Sequence, residues 1–336
     1  MPRGFSVVAI IAAYNEADII GPAVRDLIDQ NISVYLLDDG STDSTVQAVE
    51  PFVGRGVIGI ERLRPPAAGP GEFNLKQIVR RKAQLAATLD ADWFINHDAD
   101  EFRESPWGEV PLKEAIRRVD ALDYNAIDFA CFDFRPIDDG DWAGGEIRGA
   151  FPFYSDAASY DRVQIRCWKK TACVELESTG GHDTQFEGRK VFPVRFVLRH
   201  YPIRSQAHGE RKVFLERQPR FAEEERALGW HVQYEHVAQG TSFVHDPDTL
   251  KRFDPVDARI GLALRHRGVE ELEQSLETGK KDNKRLEDSL NDVHSKLTDA
   301  RAELARLASE LDAFRRSLSW RWTAPARALY RLLTGR

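Results

Sequence analysis

Residues 7–102 alternate between short apolar runs and longer runs with helical spacing, and this alternation sets the narrowest limits on the fold. Residues 7–14 are apolar on both faces, as expected of a central parallel strand covered by helices. Apolar residues recur at helical spacing over 19–28, and residues 34–37 return as a second strand. A strand, a helix and a strand form a βαβ unit. The sequence therefore predicts an open, mostly parallel α/β sheet.

Polar side chains follow three of the predicted strands, at residues 14–16, 38–39 and 98–101. Because ligands of open α/β sheets bind outside the carboxyl ends of the strands, we expect these segments to converge on one crevice. Three carboxylates in four positions, Asp98, Asp100 and Glu101, would raise one another's pKa unless a divalent cation held them. The alternative for this segment is a solvated acidic turn in which Asp98 caps a helix.

The composition, and the motifs that the sequence lacks, argue against several classes of protein. The 336 residues are enough for a sizeable core, and the net charge of −7 argues against general nucleic-acid binding. The three cysteines form no CxxC pair, which predicts a reducing, cytoplasmic setting without a disulfide framework. The longest wholly apolar run, residues 7–14, is too short to cross a bilayer. Neither GxGxxG after the first strand nor GxxxxGK[ST] occurs, which disfavours dinucleotide dehydrogenases and P-loop enzymes.

Three segments together resemble a known family. Residues 13–16 read Ala-Tyr-Asn-Glu, residues 37–43 read Leu-Asp-Asp-Gly-Ser-Thr-Asp, and residues 98–101 read Asp-Ala-Asp-Glu. In this order and spacing they resemble the family-2 glycosyltransferases with the GT-A fold, closely over residues 5–105 and more loosely over 106–245. The resemblance implies a nucleotide-sugar donor, guessed to be of the UDP type, and a divalent metal, Mn²⁺ or Mg²⁺.

The resemblance also implies how the donor is bound. Tyr14 is similar to the aromatic residue that contacts the nucleobase in the family, with Glu16 nearby on the same turn. Arg81 stands where the family often places a basic residue near the nucleotide, although Arg80 and Lys82 are alternatives.

Further positions match the base-binding and metal-binding residues of the family. Asp39 is similar to the aspartate that hydrogen-bonds the base edge. Asp98 and Asp100 match the DxD pair, the first nearer the ribose and the second the direct metal ligand. His200, which ends a late predicted strand, resembles the histidine that often completes the metal site, and imidazole is an acceptable ligand for Mn²⁺.

The remaining candidates belong to the acceptor half of the chain. An inverting transfer needs a base for the acceptor hydroxyl, and the family generally uses a carboxylate beyond the DxD. Asp183 is the first candidate and His182 the second, while a capped turn with a solvated histidine is the structural alternative. Arg204 and Lys212 are predicted to close over the diphosphate when donor binds, or else to form an exposed basic loop.

Apolar residues repeat at heptad spacing in the C-terminal arm, which predicts a coiled coil and, most simply, a homodimer. The alternative is one long helix folded back on the first domain. The repeat runs through Leu286, Leu290, Val293, Leu297, Ala300, Leu304, Leu307, Leu311, Phe314 and Leu318. After Asp312 the chain has arginines interleaved with aromatic and aliphatic residues, which predicts contact with an anionic membrane surface.

The predicted organisation places a GT-A domain at 1–250, with a nucleotide-binding half at 1–105 and an acceptor half at 106–250. A linker at 251–267, a coiled coil at 268–318 and a basic amphipathic tail at 319–336 follow. The expected function is metal-dependent, inverting sugar transfer to a glycan or lipid-linked acceptor in cell-surface polysaccharide assembly. The expected location is cytoplasmic, with peripheral contact at the inner face of the membrane. The alternatives are an inactive GT-A scaffold assembled through its coiled coil and a metal-dependent nucleotidyltransferase.

Overall fold

A computed structural model of the chain describes residues 4–64, 71–140, 142, 146–156, 158, 162–221, 225, 230, 234, 236–265, 267–316 and 323–334. The chain divides into two compact units, residues 1–268 and 269–336.

The first unit begins with alternating strands and helices, as the sequence predicts. In chain order these are β1 (Val7–Ala13), α1 (Ile20–Asp29), β2 (Ser33–Asp38), α2 (Thr45–Val49), β3 (Val57–Arg62), α3 (Leu75–Thr88), β4 (Trp93–Asp98), β5 (Glu101–Glu104) and α4 (Leu112–Ala121). Asn74 caps α3, since its side-chain oxygen accepts a hydrogen bond from the Gln77 amide at 2.7 Å.

Shorter elements make up the rest of this unit. They are β6 (Ala126–Phe134), α5 (Ile147–Ala150), β7 (Phe153–Asp156), β8 (Ile165–Lys169), β9 (Phe196–His200), α6 (Gln206–Glu210), a π-helical segment (Arg211–Arg217), a 3₁₀ turn (Gln218–Arg220), β10 (Lys251–Arg252) and α7 (Pro255–Leu264).

The sheet has the strand order β10-β7-β6-β8-β4-β1-β2-β3, and β9 pairs with β5 and β6. Strand β1 lies parallel to both β2 and β4, and β2 lies parallel to β3, whereas β8 runs antiparallel to β4 and β6. The chain moves from β1 outward to β3 and then returns to the other side of β1 with β4. The strand order therefore reverses between β1 and β4, where such sheets open their ligand crevice.

Both faces of β1 are covered, which explains its uninterrupted apolar sequence. Ile11 packs with residues of α1 and α4 in one core cluster, and Ile10 packs with residues of α3 in another. Ile10, Ile11, Trp93 and Phe94 are fully buried. The predicted α/β sheet with helices on both faces is confirmed.

Two parts of this unit differ from simple sequence expectations. Strand β4 ends at Asp98 and β5 begins at Glu101, so Asp98 lies at a turn between strands and caps no helix. Residues 251–264, within the predicted linker, form β10 and α7 because Phe253 packs against upstream aromatic rings. Its ring centroid lies 5.1 Å from that of Phe132 and 5.3 Å from that of Phe134.

The second unit consists of most of the long helix α8 (Arg267–Arg316), followed by α9 (Ala324–Thr334). The apolar positions whose side chains are described along α8, from Leu276 to Leu307, are exposed. Trp320 and Trp322 of the predicted tail lie outside the described residues. Over the part of the chain that the structure describes, the longest apolar stretches of helix fall short of what a bilayer crossing requires.

Candidate active site

A cleft of about 400 Å³ opens at the carboxyl ends of β1, β2 and β4. It contains most of the residues predicted from sequence to bind donor or metal. These are Tyr14, Glu16, Asp39, Asp98, Asp100, His200 and Lys212, and His182, the second candidate for the catalytic base, also lines the cleft. The predicted convergence of three separate polar segments on one rim of the sheet is therefore observed.

The turns after β1 and β2 hold each other in place. Asn15 has a positive φ of 52°, a conformation that asparagine tolerates better than most residues. Its backbone amide donates to Ser41 Oγ at 3.0 Å, and its side-chain oxygen accepts from the Thr42 amide at 2.9 Å. The Asp39 amide donates to the Ala13 carbonyl at 2.9 Å. These bonds fix Tyr14 and Asp39 at one end of the cleft, which we call the base end.

Asp98 is paired with cations from the chain itself. Its carboxylate accepts from Arg166 Nη1 at 2.8 Å and lies 3.4 Å from Lys82 Nζ. Desolvation by the surrounding protein would raise the pKa of Asp98, but the charges of Lys82 and Arg166 hold it well below its usual range. The side chain is still 42% exposed, so a ligand can reach it. Asp98 is therefore ionised and accessible at neutral pH.

Asp100 and His200 face each other across the cleft floor. Asp100 Oδ1 lies 3.8 Å from His200 Nε2, and His200 Nδ1 lies 2.7 Å from Asp133 Oδ1. A metal-binding histidine usually donates one ring N–H to a carboxylate, which leaves the other ring nitrogen for the metal, and Asp133 is such a carboxylate partner of His200. Burial opposes the charged form, but Asp100 and Asp133 together raise the pKa of His200 well above its ordinary value. A carboxylate oxygen and an imidazole nitrogen are donors that Mn²⁺ accepts, and a metal between Asp100 and His200 would have to displace the proton that the neighbouring carboxylates hold on His200.

Glu16 anchors two of the predicted basic residues. Lys212 Nζ lies 2.9 Å from Glu16 Oε1 and 2.8 Å from Asp100 Oδ2. Arg204 donates to Glu16 Oε2 at 2.7 Å and to Asp18 Oδ2 at 2.6 Å. Both cations are buried, so the expectation of a basic loop that orders only with donor is not what the structure shows. Lys212 lines the cleft, whereas Arg204 supports Glu16 from outside it.

The two candidates for the base lie in different surroundings. His182 lines the cleft, where its Nδ1 lies 3.0 Å from Gln164 Nε2 and 3.2 Å from Arg166 Nη2. Burial, and next the charge of Arg166, lower the pKa of His182 to about 3, which leaves it neutral and weakly basic at neutral pH. Asp183 is outside the cleft lining. Arg189 and Gln185 each donate to one of its two carboxylate oxygens.

Arg81 also lies outside the cleft. Its guanidinium donates to both carboxylate oxygens of Glu61, at 2.8 and 2.9 Å, on a half-exposed face of α3 and β3. The next residue, Lys82, points to the other side of the helix, is buried and lines the cleft, where it donates to Asn96 Oδ1 and the His97 carbonyl. Of the three basic neighbours considered from sequence, the structure therefore places Lys82 at the site.

Other cleft residues escaped the sequence reasoning. Asp133 and Arg166 lie on β6 and β8, whose ends showed no motif. Arg220 stacks on Tyr14, with its Cζ 3.6 Å from the ring centroid, and donates to Asp39 Oδ2 at 3.0 Å. Lys82, which the sequence offered as an alternative to Arg81, did carry a usable signal, since it falls at helical spacing among buried apolar residues of α3. A lysine on the buried face of a helix needs an anionic or polar partner.

Comparison with known proteins supports the motif-based interpretation. Residues 8–134 match the family model of glycosyl transferase family 2, and this match confirms the resemblance inferred from the three motifs. No curated protein matches the chain.

Solved structures match the chain only partially. Staphylococcus aureus TarS 1-349 in complex with UDP shares 14% identity, covering 59% of this chain and 61% of that chain, with a TM-score of 0.36. Glucosyl-3-phosphoglycerate synthase from Mycobacterium tuberculosis, in complex with Mn²⁺, UDP and glucosyl-3-phosphoglycerate, shares 18% identity, covering 39% and 44%, with a TM-score of 0.24. The chain thus spans less than two thirds of either structure. The family match and the geometry of the cleft are therefore the observations that bear on function.

Proposed function

We propose that this chain, whose residues 8–134 match glycosyl transferase family 2, transfers a sugar from a nucleoside-diphosphate donor to an acceptor hydroxyl. The transfer is proposed to depend on a divalent metal and to invert the anomeric centre in a single displacement. A UDP-type donor is proposed because the carboxylate of Asp39 accepts hydrogen bonds and uracil offers an N–H on its pairing edge. The expected acceptor is a glycan or a lipid-linked sugar in cell-surface polysaccharide assembly.

One observation carries the proposal: the Asp100–His200 pair lies in the same cleft as Tyr14 and Asp39. A donor has a base at one end and a diphosphate at the other, and the cleft offers matching groups at its two ends. A metal-binding or a base-binding arrangement alone would fit many proteins. Their combination on a βαβ frame favours nucleotide-sugar chemistry.

The chain's own residues would bind and orient the donor diphosphate. Asp100 and His200 would hold the metal, and Asp133 would fix the imidazole ring in the orientation that binds it. When bound, the metal would supply positive charge to the departing diphosphate. Lys212, already 2.8 Å from Asp100, would add a second positive charge at the same end of the cleft. Asp98 is proposed to contact the ribose.

The acceptor side needs a different assignment from that suggested by sequence. The acceptor hydroxyl loses a proton as its oxygen attacks, yet Asp183 binds Arg189 and Gln185 outside the cleft lining. We propose that His182 contacts the acceptor as a neutral hydrogen-bonding group. The proton of the hydroxyl then passes to solvent water as the sugar–oxygen bond forms and the bond to the diphosphate breaks, and Asp183 would take that proton only if its pair with Arg189 broke.

The C-terminal unit is proposed to assemble and locate the enzyme. The exposed seam of α8 supports a homodimer through residues 268–318. Helix α9 exposes Leu329 and Tyr330 and also carries Arg327 and Arg331, which supports peripheral contact of residues 319–336 with an anionic membrane at its cytoplasmic face.

Calorimetric titration of UDP into the full chain, with and without Mn²⁺, tests the metal site. We expect binding to require Mn²⁺ and to be lost in Asp100→Ala. Asp156→Ala is the matched control, because Asp156 pairs with Lys251 on the surface of β7 and lies outside the cleft lining. Unchanged binding in Asp100→Ala would refute the metal site.

A panel of nucleotide sugars tests the reaction. Metal-dependent hydrolysis of one donor would identify the sugar and its nucleotide. Metal-dependent binding without turnover on any donor, even with added glycan acceptors, would favour the inactive scaffold instead.

A further inference from the structure

A planar group, the guanidinium of Arg220, contacts the two residues Tyr14 and Asp39 that define the base end of the cleft. Its Cζ lies 3.6 Å from the centre of the Tyr14 ring, so the guanidinium stacks on one face of that ring. The same guanidinium donates to Asp39 Oδ2 at 3.0 Å. Arg220 thus uses both of the residues assigned to the donor base.

A guanidinium and a nucleobase present similar chemistry to this pair. Both are flat and delocalised, so both stack on an aromatic ring. Both carry N–H groups in the plane that can donate to a carboxylate. A base seated on this face of Tyr14 and hydrogen-bonded to Asp39 would occupy the position of the Arg220 side chain, so the two occupants exclude each other.

The buried position of Arg220 is energetically unfavourable for its charged guanidinium. Burial lowers the pKa of the Arg220 guanidinium, and the charge of Asp39 only partly opposes this effect. Among the described residues, no hydrogen-bond partner reaches its buried Nη1 atom. An incompletely satisfied cation is more easily displaced than a fully paired one.

The backbone around Arg220 links its position to the wall of the cleft. Arg220 Nε donates to the Gly71 carbonyl at 2.7 Å, and the Arg220 carbonyl accepts from the Phe73 amide at 2.6 Å. Phe73 lines the cleft, and Arg217, three residues before Arg220, stacks on the Phe73 ring at 4.5 Å. Withdrawal of Arg220 would therefore shift the segment that carries Arg217 and loosen Phe73.

We propose that Arg220 is a placeholder for the donor base, so that a nucleotide binds only when the Arg220 side chain leaves the face of Tyr14 and the carboxylate of Asp39. This inference rests on the proposed function and adds a residue that sets donor affinity. The energetic cost of displacing Arg220 falls on ligands that carry a base. Ligands that occupy only the diphosphate end are unaffected.

Titration of two probes into the full chain separates these effects. With Mn²⁺ present, UDP carries a base and pyrophosphate does not. We expect Arg220→Ala to bind UDP at least about threefold more tightly than wild type, because the competing state is removed. Pyrophosphate affinity should not change. As a control, Arg117→Ala removes an exposed arginine of α4 that pairs with Glu114 outside the cleft lining, and should leave the affinity for both probes unchanged.

A second variant guards against misfolding of the first. Arg220→Lys keeps a positive charge near Asp39 but lacks the flat face, and we expect it also to favour UDP selectively. With wild type binding normally, weaker UDP binding in both variants would show that Arg220 helps to hold the base, and equal binding would show that Arg220 does not compete with it. Either result would overturn the inference. Failure of every variant and of wild type to bind UDP, GDP or pyrophosphate would overturn the proposed function itself.

Discussion

Asp98 and Asp100 are two residues apart, yet different parts of the chain neutralise them. Arg166 and Lys82 pair with Asp98, whereas Lys212 and His200 face Asp100. From the sequence we expected these carboxylates to repel each other unless a divalent metal ion neutralised them. Arg166 and Lys212 lie on elements far along the chain, and local sequence patterns do not reveal such pairings. Charge balance in the cleft is thus a tertiary property.

Substitutions at residues 182 and 183 test which side chain serves the acceptor. Because Asp183 pairs with Arg189 near the surface, Asp183→Asn should cost at most about 1 kcal/mol of stability. Sugar-transfer rate should stay within about threefold of wild type. His182→Ala should lower it by about tenfold or more, the value of one lost hydrogen bond. Loss of turnover in Asp183→Asn with normal donor binding would restore Asp183 as the base.

The pH dependence of stability depends partly on His208. Burial, and next the charge of Arg204, lower the pKa of His208 from 6.5 to about 2. Between these values the unfolded chain binds a proton at this residue and the folded chain does not. The free energy of unfolding therefore falls as the pH drops below about 6.5, and His208 contributes about 1.4 kcal/mol to this fall for each pH unit. Urea unfolding of His208→Gln should show a shallower acid slope. His294→Gln, at an exposed position of α8, is the control and should keep the wild-type slope.

At the scale of elements, the helices and strands that could be predicted from sequence are those whose apolar residues recur at regular spacing. Helix α3 lies at Leu75–Thr88, where the apolar spacing and the asparagine cap are both local signals. Strand β10 has only two residues, and α7 buries no side chain fully, so neither gives a periodic pattern. What holds this region is Phe253, whose aromatic partners lie on β6 and β7. Such contacts are decided by the fold and leave no local signal.

The packing of residues 251–264 on the first unit can be measured through Phe253. Its ring contacts those of Phe132, Phe134 and Tyr154, and the Arg199 guanidinium stacks on it at 4.1 Å. We expect Phe253→Ala to lower the free energy of unfolding by about 2–4 kcal/mol.

Val256→Ala, at a 62% exposed position of the neighbouring helix, should change the free energy of unfolding by less than about 0.5 kcal/mol. Equal effects in the two variants would mean that this region does not pack as the structure shows.

Helix α8 carries a prediction about assembly. Leu290 lies on the exposed heptad seam, and Leu290→Glu should convert a dimer into monomers by placing charge in a packed interface. Lys284→Glu introduces the same residue at an exposed position outside the repeat of apolar residues and should leave the dimer intact. Sedimentation equilibrium distinguishes the two outcomes, and an unchanged mass in Leu290→Glu would refute the seam.

At the scale of the whole molecule, the sequence determined the strand–helix alternation and the convergence of three polar turns. It did so because parallel strands must place their carboxyl ends together. The identity of the groups around His182 and Asp183 depended on β8 and on the turn after it, where no general rule of sheet geometry applies. The sequence was therefore informative about the donor half and much less so about the acceptor half.

Ligand binding should stabilise the first unit as a whole. If UDP and Mn²⁺ bind only the folded state, UDP at 100 times its dissociation constant raises the free energy of unfolding by about 2.7 kcal/mol. We expect the melting temperature to rise with UDP and Mn²⁺ together, and to rise far less with UDP alone. An equal rise without metal would contradict the assignment of Asp100 and His200 as metal ligands.

The central position of β1 also has a consequence for biosynthesis. This apolar strand leaves the ribosome before both of its neighbours, and one of them, β4, is complete only when residue 98 has been made. Until then a nascent chain exposes an unpaired hydrophobic edge, which invites aggregation. Slow elongation before that point should therefore lower the yield of native protein and increase dependence on chaperones.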